Sequence, residues 1–303
     1  MNPSTLFAFM CEPHGDGREI LLLCRSLRRY GGSLAASPVF ALLPASVEGF
    51  ESLVPALKAE GAHIERCHIP PEALDFPLAA KVFAAARAEQ IAENEGRQLV
   101  WMDPDTLVLQ EPGGLLLPDT VSLGCRPVML TLVSSLFDKP LPPFWKTVYQ
   151  HCAVNLEKVF PVETTVDRQR IHAHFNAGLL AVRPERGLLR LWREKFESLY
   201  LSSGMADFYA QNRLYKIFIH QAVLAGCILH LLSKDEIRLF SQKYNYPLHL
   251  AKELPPGQRI ESLAELVTCR YDEWETLAEA SWTAEMTIQP AMKAWLKDQI
   301  SRR

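Results

Sequence analysis

Read only for apolar and polar positions, the first hundred residues alternate between two periods. The runs 6–10, 38–43, 62–68 and 98–102 are apolar over strand length, and the stretches 17–30, 47–60 and 77–95 between them repeat apolar residues at helical spacing. Gly31, Gly61 and Gly96 follow the three helical stretches, where a residue free to take positive φ ends a helix. Strands alternating with helices at this interval predict right-handed βαβ units. The expected fold class is therefore α/β, with a mainly parallel central sheet flanked by helices.

Beyond Asp105 the pattern loosens. A strand at 106–109, a helix at 144–156, an apolar run at 175–182 and helices at 187–201 and 217–229 precede a loop at 243–256. The stretch 271–303 reads as helical and carries Trp274, Trp282 and Trp295, whose spacing suits packing better than a carbohydrate platform. No internal repeat or long linker divides the chain. One domain with a variable second half is the expectation.

Composition narrows the function classes. The net charge of −3 offers no concentrated basic face for nucleic acid, and the run 25–29 reads as a solvated helix face. The seven cysteines stand singly, with no CxxC, as buried reduced thiols would. No 18-residue apolar stretch predicts a membrane span, and 1–10 lacks the basic start of a signal peptide. A cytoplasmic address is expected.

Asp103-Pro104-Asp105 is the strongest chemical signal. Proline pushes Asp103 toward extended backbone, and residues i and i+2 of an extended chain point the same way. Both carboxylates should therefore face one side, at the carboxyl end of the fourth strand, where open α/β sheets bind ligands. Two convergent carboxylates suit a hard divalent cation that neutralises a diphosphate. Cys11 and Glu12 end the first strand on the same edge. His172 and His174 have no nearby carboxylate or thiol in sequence to complete a metal set.

The segment LVWMDPDTLVL, residues 99–109, resembles the aspartate-x-aspartate segment of GT-A glycosyltransferases, particularly the retaining glycogenin and lipopolysaccharide galactosyltransferase type. Phe175-Asn176-Ala177-Gly178 is similar to the family's segment lining donor sugar and acceptor. Lys81 is similar to its donor-reaching cation. The expected single domain, 1–303, has a nucleotide-binding half at 1–110, a donor and acceptor half at 111–270 and a helical extension at 271–303; the resemblance covers roughly residues 6–249 and implies a GT-A fold. It implies Mn²⁺ or Mg²⁺ held by Asp103 and Asp105, and a nucleotide-sugar donor contacted by Cys11, Glu12, Lys81, Asp103 and Ala177. Asn176, His220 and Gln221 are its catalytic set, acting on an unknown acceptor. Two departures stand out. Ile219-His220-Gln221 has histidine where the family has aspartate, and the C-terminal histidine-glycine-lysine-proline-tryptophan motif is absent, so His249 is the candidate third metal ligand.

Two rival readings remain. A degenerate domain would bind nucleotide-sugar or glycan without turnover. A sugar nucleotidyltransferase would use Gly15-Asp16-Gly17-Arg18 as a phosphate loop, although the rest of that signature is missing. No G-x-G-x-x-G follows a strand, which argues against a dinucleotide-dependent dehydrogenase.

Overall fold

A computed structural model describes residues 4–15, 17–279 and 286–301. Asp16 and Trp282, both singled out above, lie outside them. The chain opens with β1 (Thr5–Met10), α1 (Arg18–Tyr30), β2 (Val39–Pro44), α2 (Leu53–Ala59), β3 (Ala62–Cys67), α3 (Pro71–Leu74), α4 (Ala79–Asn94) and β4 (Gln98–Met102). These four strands pair in parallel in the order β4-β1-β2-β3, as the βαβ reading requires.

Local chemistry explains where the elements stop. α2 is shorter than the stretch 47–60, because Gly49 takes φ 98° and the residues before Leu53 form turns. Behind α1 the left-handed position is Gly32, at φ 57°, while Gly31 stays helical at −69°. α4 is buried on almost every face; its alanines let it lie between the sheet and the next helical layer.

The second half adds β5 (Thr106–Val108), β6 (Leu123–Cys125), α5 (Pro143–His151), β7 (Pro161–Glu163), β8 (Arg170–His172) and β9 (Leu179–Val182). Then come α6 (Leu188–Leu199), α7 (Ser203–Gln211), α8 (Arg213–Leu231), β10 (Ile237–Leu239), β11 (Tyr246–Pro247), β12 (Thr268–Arg270), α9 (Trp274–Glu279) and α10 (Pro290–Ser301). The main sheet has seven strands in the order β10-β6-β9-β4-β1-β2-β3, and β9 runs against its neighbours β4 and β6. A three-stranded sheet, β11-β12-β5, stands beside it, and β7 and β8 pair separately.

Further elements differ from the sequence pattern, among them α5, which ends at His151 and not at 156, and the stretch 271–303, whose described helices are α9 and α10 alone. α8 starts four residues before the stretch 217–229, because the Asn212 side chain accepts the Leu214 N–H at 2.9 Å and caps it. α7 was not announced, since only Met205 of it is buried. Of the run 175–182, only Leu179–Val182 forms a strand.

α8 also corrects the expectation about long apolar segments: its length and composition would suffice to cross a membrane, yet most of it is buried against the protein's own core. Gly226 permits the close approach of α5, because a Cβ there would meet Cys152 Sγ at 2.7 Å. All seven cysteines are buried thiols. Trp274 and Trp295 pack rather than face open solvent, with Arg18 over the first and Tyr30 edge-on to the second at 5.2 Å.

One buried carboxylate ties the layers together. Glu89 of α4 accepts the Leu189 and Arg190 N–H groups, each at 2.9 Å, and so satisfies the start of α6 from outside. Burial pushes its carboxyl up to about 7, against those two hydrogen bonds and Arg190.

Candidate functional site

A crossover helix begins at the carboxyl edge of a parallel sheet, so the first turn of α4 and the end of β4 meet there. Lys81 lies in that first turn, and Asp103 follows Met102 directly. The Lys81 Nζ stands 2.7 Å from Asp103 Oδ2, with both side chains at most 5% exposed. The Asp103 N–H donates to the Gly178 carbonyl at 2.7 Å, which ties the turn to the segment leading into β9.

Asp105 is held from the other side. β12 pairs with β5 so that Arg270 lies opposite Thr106, and the Tyr271 N–H donates to the Asp105 carbonyl at 3.1 Å. The Arg270 Nε reaches Asp105 Oδ2 at 2.5 Å, with the side chains 22% and 7% exposed. Burial pushes the Asp105 carboxyl up, and the Arg270 guanidinium opposes that push. Burial works to lower Arg270 as well, but Asp105 and Asp103 outweigh it and hold the guanidinium above its ordinary value. Oδ1 of Asp103 and Oδ1 of Asp105 have no hydrogen-bond partner among the described residues.

Beside this cluster lies a cleft of about 340 Å³, bordered by His174, Asn176, Gln221, His249, Arg270 and Asp272 among others. Asn176 is oriented by its neighbours: its Oδ1 accepts the Gly178 N–H at 2.8 Å and the Asn245 Nδ2 at 3.0 Å. With the oxygen occupied, its amide N–H groups are what it can offer a ligand. Gly178 has no room for a side chain, since a Cβ would stand 2.8 Å from Asp103 Oδ2 and 2.9 Å from Asn176 Oδ1.

Strain gathers here too. Leu78, Leu132 and Asp272, at φ 59°, 36° and 72°, border the cleft, and Asn245, at φ 50°, holds Asn176. Non-glycine residues in that region cost about 1–3 kcal/mol each and tend to mark functional sites.

The remaining sequence candidates divide. Glu12 is partly buried; burial pushes its carboxyl up to about 6, with Lys81 and Arg270 lowering it and Asp103 and Asp105 raising it. Cys11 and Ala177 are fully buried and pack in the core. Gln221 borders the cleft. His220 does not: it is 0% exposed, its Nδ1 bonds the Ile217 carbonyl at 2.9 Å, and its Nε2 has no partner among the described residues. Burial, then Lys81, holds it well below the ordinary histidine range, so it is neutral. His174 is buried, bonded to Ser134 Oγ at 2.7 Å and pushed by burial down to about 3. Sequence reasoning missed Arg270, Asn245 and Asp272.

The donor set does not fit the divalent cation expected at Asp103 and Asp105. Each carboxylate already has a cation of this chain on one oxygen. A divalent ion on the two Oδ1 atoms would stand beside Lys81 and Arg270 in a largely buried cluster. His249 does not complete a set, and no three His, Cys, Asp or Glu side chains among the described residues are arranged to hold a metal ion.

The profile of the Rhodobacterales glycosyltransferase domain matches residues 7–224 of the chain. No protein of curated description matches it in sequence. Among solved structures, the galactosyltransferase LgtC in complex with donor and acceptor sugar analogs superposes with TM-score 0.50 at 16% identity, covering 98% of this chain and 97% of that one. The bifunctional glycosyltransferase WbbM, in its apo structure, gives 0.52 at 12% identity over 94% of this chain and 51% of its own, so this chain spans about half of it. The fold is GT-A.

Proposed function

Because the chain belongs to the Rhodobacterales glycosyltransferase domain family, we propose that it transfers a sugar from a nucleoside-diphosphate donor to a hydroxyl acceptor. The observation that carries this reading is the charged cluster at the carboxyl edge of β4, opening on the cleft of Asn176, Gln221 and Arg270. In an open α/β sheet that edge is where ligands bind.

The roles follow from what each group has left to offer. Arg270 presents its remaining guanidinium donors to the diphosphate, which leaves as an anion and gains most from a fixed positive charge. The Asn176 amide N–H groups and the Gln221 amide hold sugar oxygens. Lys81 pairs with Asp103 within the core, and Glu12 and Cys11 lie on the edge where the nucleotide enters. Retention of anomeric configuration belongs to the same reading and is supported by the resemblance at Phe175-Asn176-Ala177-Gly178.

One observation favours a second reading, a domain that binds donor without turnover. His220, placed where the family has a carboxylate, is buried and neutral.

A thermal-shift screen with UDP-, GDP- and ADP-sugars tests the first claim, since a ligand bound by the native state raises its stability as RT ln(1 + [L]/Kd). One donor class should raise Tm by several degrees, and release of its nucleoside diphosphate should follow on incubation. No shift with any of them sinks the donor reading; a shift without release selects the binder.

A further inference from the structure

We propose that the chain meets the donor diphosphate with a fixed cation of its own, Arg270, in place of the divalent ion that the Asp103-Pro104-Asp105 spacing predicts, so that donor binding needs no metal. The inference rests on the nucleoside-diphosphate reading above.

The charge count comes first. Two carboxylates, Asp103 and Asp105, face two cations, Lys81 at 2.7 Å and Arg270 at 2.5 Å. Both cations already sit on the turn's carboxylates before any ligand arrives, and Asp272 and Glu12 lie in the same field. A metal ion would have to enter beside both cations, whereas an anion enters beside Arg270 without that penalty.

The two cations are not equivalent. Lys81 is 5% exposed and spends its charge inside the protein, while Arg270 is 22% exposed and borders the cleft. The Arg270 Nε is taken by Asp105, and its Nη2 lies 3.4 Å from Asp272 Oδ1, too long to fix it firmly. A guanidinium carries five N–H donors, so most of them remain for a diphosphate.

The backbone holds Arg270 in that position. It pairs across from Thr106 in the small sheet, and the next residue bonds the Asp105 carbonyl at 3.1 Å. A charge held by a β-ladder needs no ordering when the ligand binds, the property that makes an electrostatic site effective.

Calorimetry of UDP, GDP and ADP with the full chain, in EDTA and in Mn²⁺, tests this, alongside Mn²⁺ alone followed by electron paramagnetic resonance. The expected result is one nucleoside diphosphate bound equally well in both buffers, with no stoichiometric Mn²⁺ on the protein. Arg270→Gln should weaken that binding by about tenfold or more, and Arg270→Lys should recover part of it. If Arg270→Gln does not fold, the pair Asp105→Asn with Arg270→Gln removes both charges and serves instead. A drop of about tenfold or more in EDTA, or Mn²⁺ bound one to one and lost in Asp105→Asn, overturns the proposal. Failure of every nucleotide in both buffers overturns the donor reading, and the Mn²⁺ titration then decides the charge arrangement by itself.

Discussion

A helix packed on the seven-stranded sheet and a strand of the three-stranded sheet each send one cation to the same turn, and they send it under different conditions. On the side of the large sheet, Lys81 and Asp103 meet in a dry environment, at most 5% exposed. On the side of the small sheet, Arg270 and Asp105 meet at the cleft wall, with Arg270 at 22%. The first pair fastens the turn to the core. The second offers charge to whatever enters. Two ion pairs of similar length, two residues apart in the chain, thus divide structure from function by their access to water.

The largest expected effect breaks the dry pair. Lys81→Met leaves Asp103 buried without its counter-charge, and removing one partner of such a pair costs about 3–5 kcal/mol. Urea unfolding should show that loss, whereas Arg270→Gln, at the wet pair, should lose clearly less. Equal losses would erase the distinction. The double substitution Lys81→Met with Asp103→Asn should recover much of the stability, since no bare charge is left.

Sequence reasoning reached the dry side and not the wet one. Lys81 and Asp103 are 22 residues apart, joined by one helix and one strand whose periods are plain. Asp105 and Arg270 are 165 residues apart, and β12 and β11 have three and two residues, too few for an alternation to show. The one local signal for Arg270 was a charge closing the short apolar run at Val267 and Cys269. His249 looked the better third ligand because histidine is the usual metal residue, but the ladder with β5 brings Arg270 to Asp105. The reversed direction of β9 was equally unreadable, since a fully buried strand is apolar whichever way it runs.

The second effect sharpens the comparison at the seam. Gly178 touches both sides, with room for neither a methyl group nor a shift of Asp103, whose Oδ2 is fixed by Lys81. Gly178→Ala should cost about 1–3 kcal/mol through overpacking. It should also displace Asn176, so nucleotide-sugar affinity should fall by more than the stability loss explains. A variant with normal Tm and normal affinity would show that the seam is looser than its distances.

The third effect is a pH dependence. Glu12 titrates at about 6 in the folded chain against 4.5 for an ordinary glutamate, through burial, within the field of Lys81, Asp103, Asp105 and Arg270. A raised folded value means that the folded state holds the proton more tightly. The contribution is complete below 4.5 and is lost as pH rises through about 6. It amounts to no more than about 2 kcal/mol, reduced by water at the exposed part of the side chain. Glu12→Gln should therefore flatten the fall in Tm between pH 4.5 and about 6, the window those two values set. An unchanged profile would place Glu12 outside the cluster's field.

The smallest expected effect concerns His220, which lies behind both pairs. Its ring is completely buried beside Trp192, one nitrogen bonds the Ile217 carbonyl, and the other has no partner among the described residues. A buried polar atom without a partner is a cost, and leucine fills nearly the same volume without one. His220→Leu loses one hydrogen bond and removes one bare nitrogen, so the two changes should nearly cancel. Stability should move by about 1 kcal/mol or less in either direction. Donor affinity and turnover per folded molecule should stay within about threefold of the parent, a change under 1 kcal/mol in either quantity. The alternative is that the ring turns outward when donor binds and acts at the reacting carbon. In that case kcat would fall steeply while Tm and affinity held, because a group that acts only in the transition state shows in kcat. That outcome would move His220 from the core into the site and extend the wet side of the comparison through α8.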